Sequence, residues 1–215
     1  MRWAMTWRMR GAFSTSPRTE GSTEELAALM VGWKVSLTVE KEPVLPSGAA
    51  LEVRDLTVVG DNGLVVLDGV SFDVAPGEIL AVAGVQGNGQ TELTQALVGL
   101  EDRVTGSARL DGHELVGLRT REVLARGVGF VPEDRSTDGL VSPFSVAENL
   151  VLDRYRDREF AAGPSLRLGA IGENARSAVS EYDIRTGSVD SAVVTLSGGN
   201  QQKVVIAREL GRPLT

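Results

Sequence analysis

The chain has 215 residues, enough for one substantial domain or a domain with an appendage. Hydrophobic residues make up 42%, so a buried core is possible, and 25 glycines with only 5% aromatics suit an α/β protein with many tight strand-to-helix turns. A net charge of −7 without a basic cluster argues against a nucleic-acid surface, the absence of cysteine excludes disulfides and a thiol nucleophile, and no segment approaches the ~18 uninterrupted apolar residues of a membrane span.

The N-terminal "MRWAMTWRMRGAF" is basic and amphipathic but lacks the continuous apolar stretch of a secretory signal. "TWRMRGAFST" reads as one strand. "GSTEELAALMVG" (21–32) reads as a short helix, with Ser22 and Glu25 in a capping-box pattern, Leu26, Leu29 and Met30 on one face and Gly32 as its stop. One strand and one helix cannot bury a core alone. "KEPVLPSGAA", with two prolines and small residues, reads as a linker, and the main domain is expected from about Ala50.

"LEVRDLTVV" and "GVSFDVAPGE" alternate apolar and polar residues, as half-buried antiparallel strands do. "ILAVAG" (79–84) is a continuous apolar run and reads as a strand buried on both faces. "GVQGNGQTEL" (84–93) follows at once, and Leu93, Ala96, Leu97 and Leu100 then recur at helical spacing. Buried strand, glycine loop and helix are the context of a phosphate-binding P-loop, G-x-x-x-x-G-K-[ST]. Gly84 and Gly89 have its spacing and Thr91 fills its last position, but Gln90 stands where the lysine belongs.

"SARLDGHEL" reads as a hairpin turning at Asp111-Gly112, with the only histidine, His113, as a solvated residue beside the turn. "GVGFVPEDR" reads as a strand broken at Pro132. "SVAENLVLDRY" opens a helix with Ser145 and Glu148 as a second capping box, and "AIGENARSAVSEYDI" is another helix. "TLSGGNQQKVVIAREL" gives a glycine turn and a helix that carries Val204, Val205, Ala207, Arg208 and Leu210.

The glycine loop, taken with the downstream "LSGGNQQK" (196–203), resembles an ATP-binding-cassette (ABC) ATPase domain, whose signature loop is of the LSGGQ type. The stretch "PEDRSTDGLVSPFSVAENL" (132–150) narrows the likeness to the second cassette of importers for simple sugars and nucleosides, which carry two cassettes in one chain. The resemblance covers roughly residues 50–212 and implies an α/β P-loop fold: an antiparallel β subdomain, a parallel-sheet core and a helical subdomain at 143–195. Residues 1–45 are similar to the tail of a preceding cassette, and 50–215 to a second cassette that is incomplete at its C-terminal end. The Walker B strand, catalytic glutamate and switch histidine that follow the signature helix in the family are not within the 215 residues.

The resemblance implies ATP and Mg²⁺ as ligands. Backbone N–H groups of Gly84, Gly87, Asn88, Gly89, Gln90 and Thr91 would cradle phosphates, and the Thr91 hydroxyl would ligate Mg²⁺. Ser197, Gly198, Gly199 and Asn200 would close over ATP held by the opposite cassette. Transmembrane permease subunits would dock on the helical part, at the cytoplasmic face of the membrane. Three departures weaken hydrolysis: Gln90, Glu133 in place of the family's Q-loop glutamine, and the lack of an adenine-stacking aromatic in "VGDNG" (59–63). "LVVLD" (64–68) and "NLVLD" (149–153) mimic Walker B, but the first fits a strand pair and the second the helical region. A P-loop kinase or GTPase would need lysine at position 90. The remaining alternatives are a docking module that holds nucleotide without hydrolysing it and a truncated product with no function of its own.

Overall fold

The computed structural model describes residues 50–85 and 87–215. The strand and helix expected before residue 45, and most of the linker, lie outside the described residues. The described part begins with β1 (Leu51–Val59) and β2 (Val65–Val74), joined by a tight turn and paired antiparallel from Leu51 opposite Val74 to Val59 opposite Val65. The other edge of β1 pairs with β3 (Val104–Leu110), and β3 with the two-residue β4 (His113–Glu114), giving the order β2-β1-β3-β4. The β3–β4 turn falls on Asp111 and Gly112, both at positive φ (47° and 77°), as a two-residue hairpin requires. A break in register at Arg54–Asp55, with Asp55 at φ 49°, lets Val53 share the core face of β1 with Leu56 and Val58, where they meet Leu93 and Ala96 of helix α1 (Gln90–Leu97), Ala108 of β3 and Val123 of α2 (Thr120–Leu124).

A second cluster is built from helices. α3 (Val146–Asn149) starts on Ser145, whose Oγ accepts from the Glu148 N–H at 3.1 Å, while a Glu148 carboxylate oxygen accepts from the Ser145 N–H at 2.7 Å. The capping box forms as its spacing predicts, but regular helix lasts only four residues before turns take over. Asn149 is fully buried. Its side chain accepts from the Val141 N–H (2.9 Å) and donates to the carbonyls of Val141, Phe144 and Ser145, so it holds the preceding loop with its own polar capacity used. A small hairpin, β5 (Ala161–Ala162) and β6 (Ser165–Leu166), leads to α4 (Leu168–Glu181). α5 (Gly198–Leu210) then packs Val204 and Val205 against Val146, Leu150, Phe160 and Val193.

Two expected strands do not form. Ile79–Gly84 has no strand pairing; Ile79 is 77% and Val82 56% exposed. An apolar run becomes an inner strand only if neighbours supply hydrogen bonds on both edges. Among the described residues every paired strand is antiparallel, and none lies beside this run. Val128–Val131 is likewise without strand pairing, but side chains hold its backbone: Arg212 donates to the Val128 carbonyl at 2.8 Å, and the Glu209 carboxylate accepts from the Phe130 N–H at 3.1 Å. Near the end of α5, Leu210 is exposed and Glu209 is buried. No helix among the described residues is long and apolar enough to cross a membrane.

Glu209 is the hub of a buried ionic group. It pairs with Arg208 at 2.9 Å and Arg212 at 2.6 Å, and Arg212 also pairs with Asp153 at 2.8 Å. Burial pushes the Asp153 carboxyl above the usual aspartate range, with Arg212 opposing it. Removing one member of such a group strands the others without a counter-charge. Glu209→Ala is therefore expected to destabilise the fold by about 3–5 kcal/mol, read as a lowered midpoint in urea unfolding. A shift no larger than that of an exposed carboxylate would show that the group carries no structural weight.

Candidate functional site

The glycine loop reaches α1 through Gly87 and Gly89, both at positive φ (88° and 95°). Gly89 is the N-cap of α1, and a Cβ there would lie 2.9 Å from the Val66 carbonyl oxygen of β2 and 3.2 Å from Leu67 Cδ1. Only glycine combines that dihedral with that approach. The Asn88 N–H donates to the Val85 carbonyl (3.2 Å), which closes the loop. Among the described residues no side chain caps the first turn of α1, which holds Gln90, Thr91 and Glu92. This is the layout of an anion cradle at a helix N-terminus.

The side chains make the cradle unusual. Gln90 folds back so that its amide lies over Gly84, where any Cβ would collide with it. It brings a neutral donor, not an ammonium charge. Thr91 is exposed, and its Oγ donates towards both oxygens of Glu133, at 3.2 and 3.3 Å, across 42 residues of sequence. The structure thus brings together the residue expected to ligate Mg²⁺ and the residue expected at the Q-loop position. A hydroxyl and a carboxylate offer the oxygen ligands that Mg²⁺ prefers, so this pair fits a hard divalent cation. No group of three or more acidic, histidine or cysteine side chains is placed to bind a metal unaided among the described residues. Asp61 and Asn62 form the exposed β1–β2 turn, and no aromatic is present in 59–63 to stack on a base.

The second candidate element is the N-terminus of α5. Ser197 is its N-cap in extended conformation (φ −62°, ψ 153°), exposed, as is Gly199. The Ser197 Oγ accepts from the Asn200 amide at 2.9 Å, and the Asn200 carbonyl oxygen accepts from the Arg185 N–H at 2.8 Å. Asn200 therefore braces the turn, and among the described residues no acceptor takes the Ser197 hydroxyl proton. Gln201 ties the turn to the preceding loop through the carbonyls of Val193 and Leu196, at 3.3 and 3.2 Å. The sequence singled out Ser197–Asn200 but not Arg135, whose guanidinium lies against Gly198. Nothing in the spacing of "PEDR" announces that contact. His113 is exposed in β4 beside the hairpin turn. Of the two Walker B mimics, the first lies within the β1–β2 pair, and the second ends in Asp153, which is bound to Arg212.

A glycine cradle and a serine-glycine turn on one α/β domain define the nucleotide-binding half of an ABC-type P-loop ATPase. Residues 67–213 match the family described as ABC transporter, and the chain belongs to it. It is 41% identical to the nucleoside import ATP-binding protein NupA of Lactococcus lactis, over 89% of this chain and 38% of that protein. It is 39% identical to the guanosine import ATP-binding protein NupO of Bacillus subtilis, over 88% of this chain and 37% of that protein. The ribose import ATP-binding protein RbsA 1 of Rubrobacter xylanophilus is 40% identical, over 88% and 37% respectively. The chain spans a little over a third of the length of these curated relatives.

Gly89→Ala is expected to cost about 1–3 kcal/mol through the forced positive φ, and to disturb the loop more than a helix-interior alanine would. Thermal unfolding monitored by circular dichroism reads this directly. An unchanged midpoint would mean that the loop does not hold the conformation described.

Proposed function

We propose that the protein is the ATP-binding subunit of an importer for simple sugars or nucleosides, and that this chain supplies a degenerate phosphate cradle and an intact signature turn. The observation that carries the reading is the pair itself: a helix N-terminus left uncapped behind a glycine loop, and a braced serine-glycine turn on the same domain. The relatives named for nucleoside, guanosine and ribose import support the substrate class. A match over 89% of the chain cannot fit within residues 50–215, so it takes in part of the segment before them. That supports the assignment of residues 1–45 to the tail of a preceding cassette, with 50–215 as part of a second one and 143–195 as its helical subdomain.

In this arrangement Gly84, Gly87, Asn88, Gly89, Gln90 and Thr91 hold the phosphates of one ATP, with Thr91 on its Mg²⁺. Ser197, Gly198 and Gly199, braced by Asn200, close over the ATP of the other cassette. The two sites are unequal. Replacing a charge-assisted hydrogen bond by a neutral one at position 90 costs on the order of 1–2 kcal/mol of binding, and more in a step that must stabilise charge on a transferring phosphoryl group. Catalysis therefore resides where the other cassette's phosphate loop meets Ser197. Permease subunits dock on the helical part, at the cytoplasmic face of the membrane; a cleft of about 530 Å³ lies at its margin, lined by Arg154, Tyr155, Arg156 and Asp157 together with Arg121 of α2. Within this chain taken alone, Gln90 and the Thr91–Glu133 contact favour a second reading, a docking module that binds nucleotide without hydrolysing it.

Two substitutions separate the roles in the full-length protein. Ser197→Arg is expected to lower ATP hydrolysis by about 10²–10³-fold, the scale of losing a transition-state hydrogen-bond donor. Gln90→Lys is expected to tighten MgATP binding about tenfold at the degenerate site. Hydrolysis unchanged by Ser197→Arg would contradict the composite site.

A further inference from the structure

The sequence holds two Asn-Gly pairs, Asn62–Gly63 and Asn88–Gly89. At such a pair a chain can attack itself: glycine has no side chain to obstruct a five-membered imide ring closing between its own nitrogen and the asparagine carboxamide. Both asparagines are exposed, but the fold treats the pairs differently. In the β1–β2 turn Asn62 Oδ1 accepts from the Leu64 N–H at 2.9 Å, and the Gly63 N–H donates to the Gly60 carbonyl at 2.9 Å. Carboxamide and nitrogen are both tied. At the second pair Asn88 donates its own N–H to the Val85 carbonyl at 3.2 Å. Among the described residues its carboxamide has no partner, and the Gly89 N–H has no acceptor.

The place in the fold adds to this difference. Gly89 is the N-cap of α1, and no side-chain hydrogen bond caps that helix. The positive end of a helix dipole favours negative charge. Here it favours the nitrogen anion that attacks, the oxyanion that forms on the carboxamide carbon and the carboxylate of the product. Gly89 is buried, but the attack is internal to the pair, and the leaving group departs from an exposed side chain.

We propose that Asn88 is a site of spontaneous deamidation that switches the phosphate cradle off. The Gly89 nitrogen gives up its proton and bonds to Asn88 Cγ. The carboxamide C–N bond breaks, and ammonia leaves with that proton. Water then opens the imide at one of its two carbonyl carbons. Attack at Cγ restores the peptide bond and leaves an aspartate. Attack at the backbone carbonyl leaves an isoaspartate, whose main chain is one carbon longer. The first product sets a carboxylate against the uncapped start of α1, where an anionic ligand would sit. The second changes the length of a loop that Gly89 can close only at φ 95° and 2.9 Å from the Val66 carbonyl. The modification stands without the function proposed above; its effect on nucleotide rests on that reading.

The test ages the full chain at fixed temperature and pH and maps its peptides by mass spectrometry, which separates aspartate from isoaspartate at each position. Conversion at Asn88 is expected to run several-fold faster than at Asn62 in the folded chain, and at a similar rate in the chain unfolded in urea. Equal or slower conversion at Asn88 in the folded chain overturns the proposal, and so does a preference for Asn88 that persists unchanged in urea. MgATP titrations of fresh and aged samples test the consequence. Binding capacity is expected to fall in step with the converted fraction, and Asn88→Asp is expected to bind at least about tenfold more weakly than the fresh chain, as like charges brought together require. Aged protein and Asn88→Asp that bind as tightly as the fresh chain overturn the switch. If the fresh chain itself shows no saturable binding, the nucleotide reading fails, and the selective modification is still decided by the peptide map.

Discussion

The arrangement depends on a carboxylate buried between two arginines. Glu209 pairs with both Arg208 and Arg212 and also accepts the Phe130 N–H, so one side chain near the end of α5 fixes that helix to the extended segment before Pro132. Arg212 carries the group on to Asp153 and the Val128 carbonyl, and Arg208 to the Gly139 carbonyl. Ion pairs taken out of water contribute stability only if their remaining hydrogen-bonding capacity is met. Here part of that capacity is met by the Val128 and Gly139 carbonyls and the Phe130 N–H, while Asp153 Oδ1 and Arg212 Nε are buried without a partner among the described residues. The charged group stands in, locally, for the hydrogen bonds of a sheet.

Two surfaces with different duties follow from that anchor. The far end of α5 is the serine-glycine turn, braced by Asn200 and Gln201. The far end of the anchored segment is Glu133, which meets Thr91 at the mouth of the glycine loop. The cradle offers backbone N–H groups but little positive charge, because Gln90 is neutral and Glu133 is acidic. The signature turn has no such deficit. Under the function proposed above, this asymmetry corresponds to an unequal pair of nucleotide sites, one that holds and one that turns over.

Much of this was legible in the sequence where local rules dominate. Alternation gave β1 and β2, the Asp111-Gly112 pair gave the hairpin, and Ser145 with Glu148 gave the start of α3. Gly89 was legible from its spacing in the glycine loop, whereas its close approach to the Val66 carbonyl of β2 was not. Ile79–Gly84 and Val128–Val131 were misread for one reason: apolar composition records what a segment is suited to, and pairing depends on what lies beside it. The contact of buried Glu209 with the Phe130 N–H, and the reach of Arg135 to Gly198, join residues 63 and more apart in sequence and have no local signature.

The central claim is that "GVQGNGQTEL" still binds the phosphates of ATP while lacking the charge needed to turn them over. The most direct measurement is calorimetric titration of the chain with MgATP, followed by an assay for released phosphate in the same sample. The account predicts saturable binding, weakened when Mg²⁺ is chelated, with no phosphate released above the rate in buffer. Absence of any binding would contradict the cradle. Steady release of phosphate by the chain would contradict its assignment as the non-hydrolysing site.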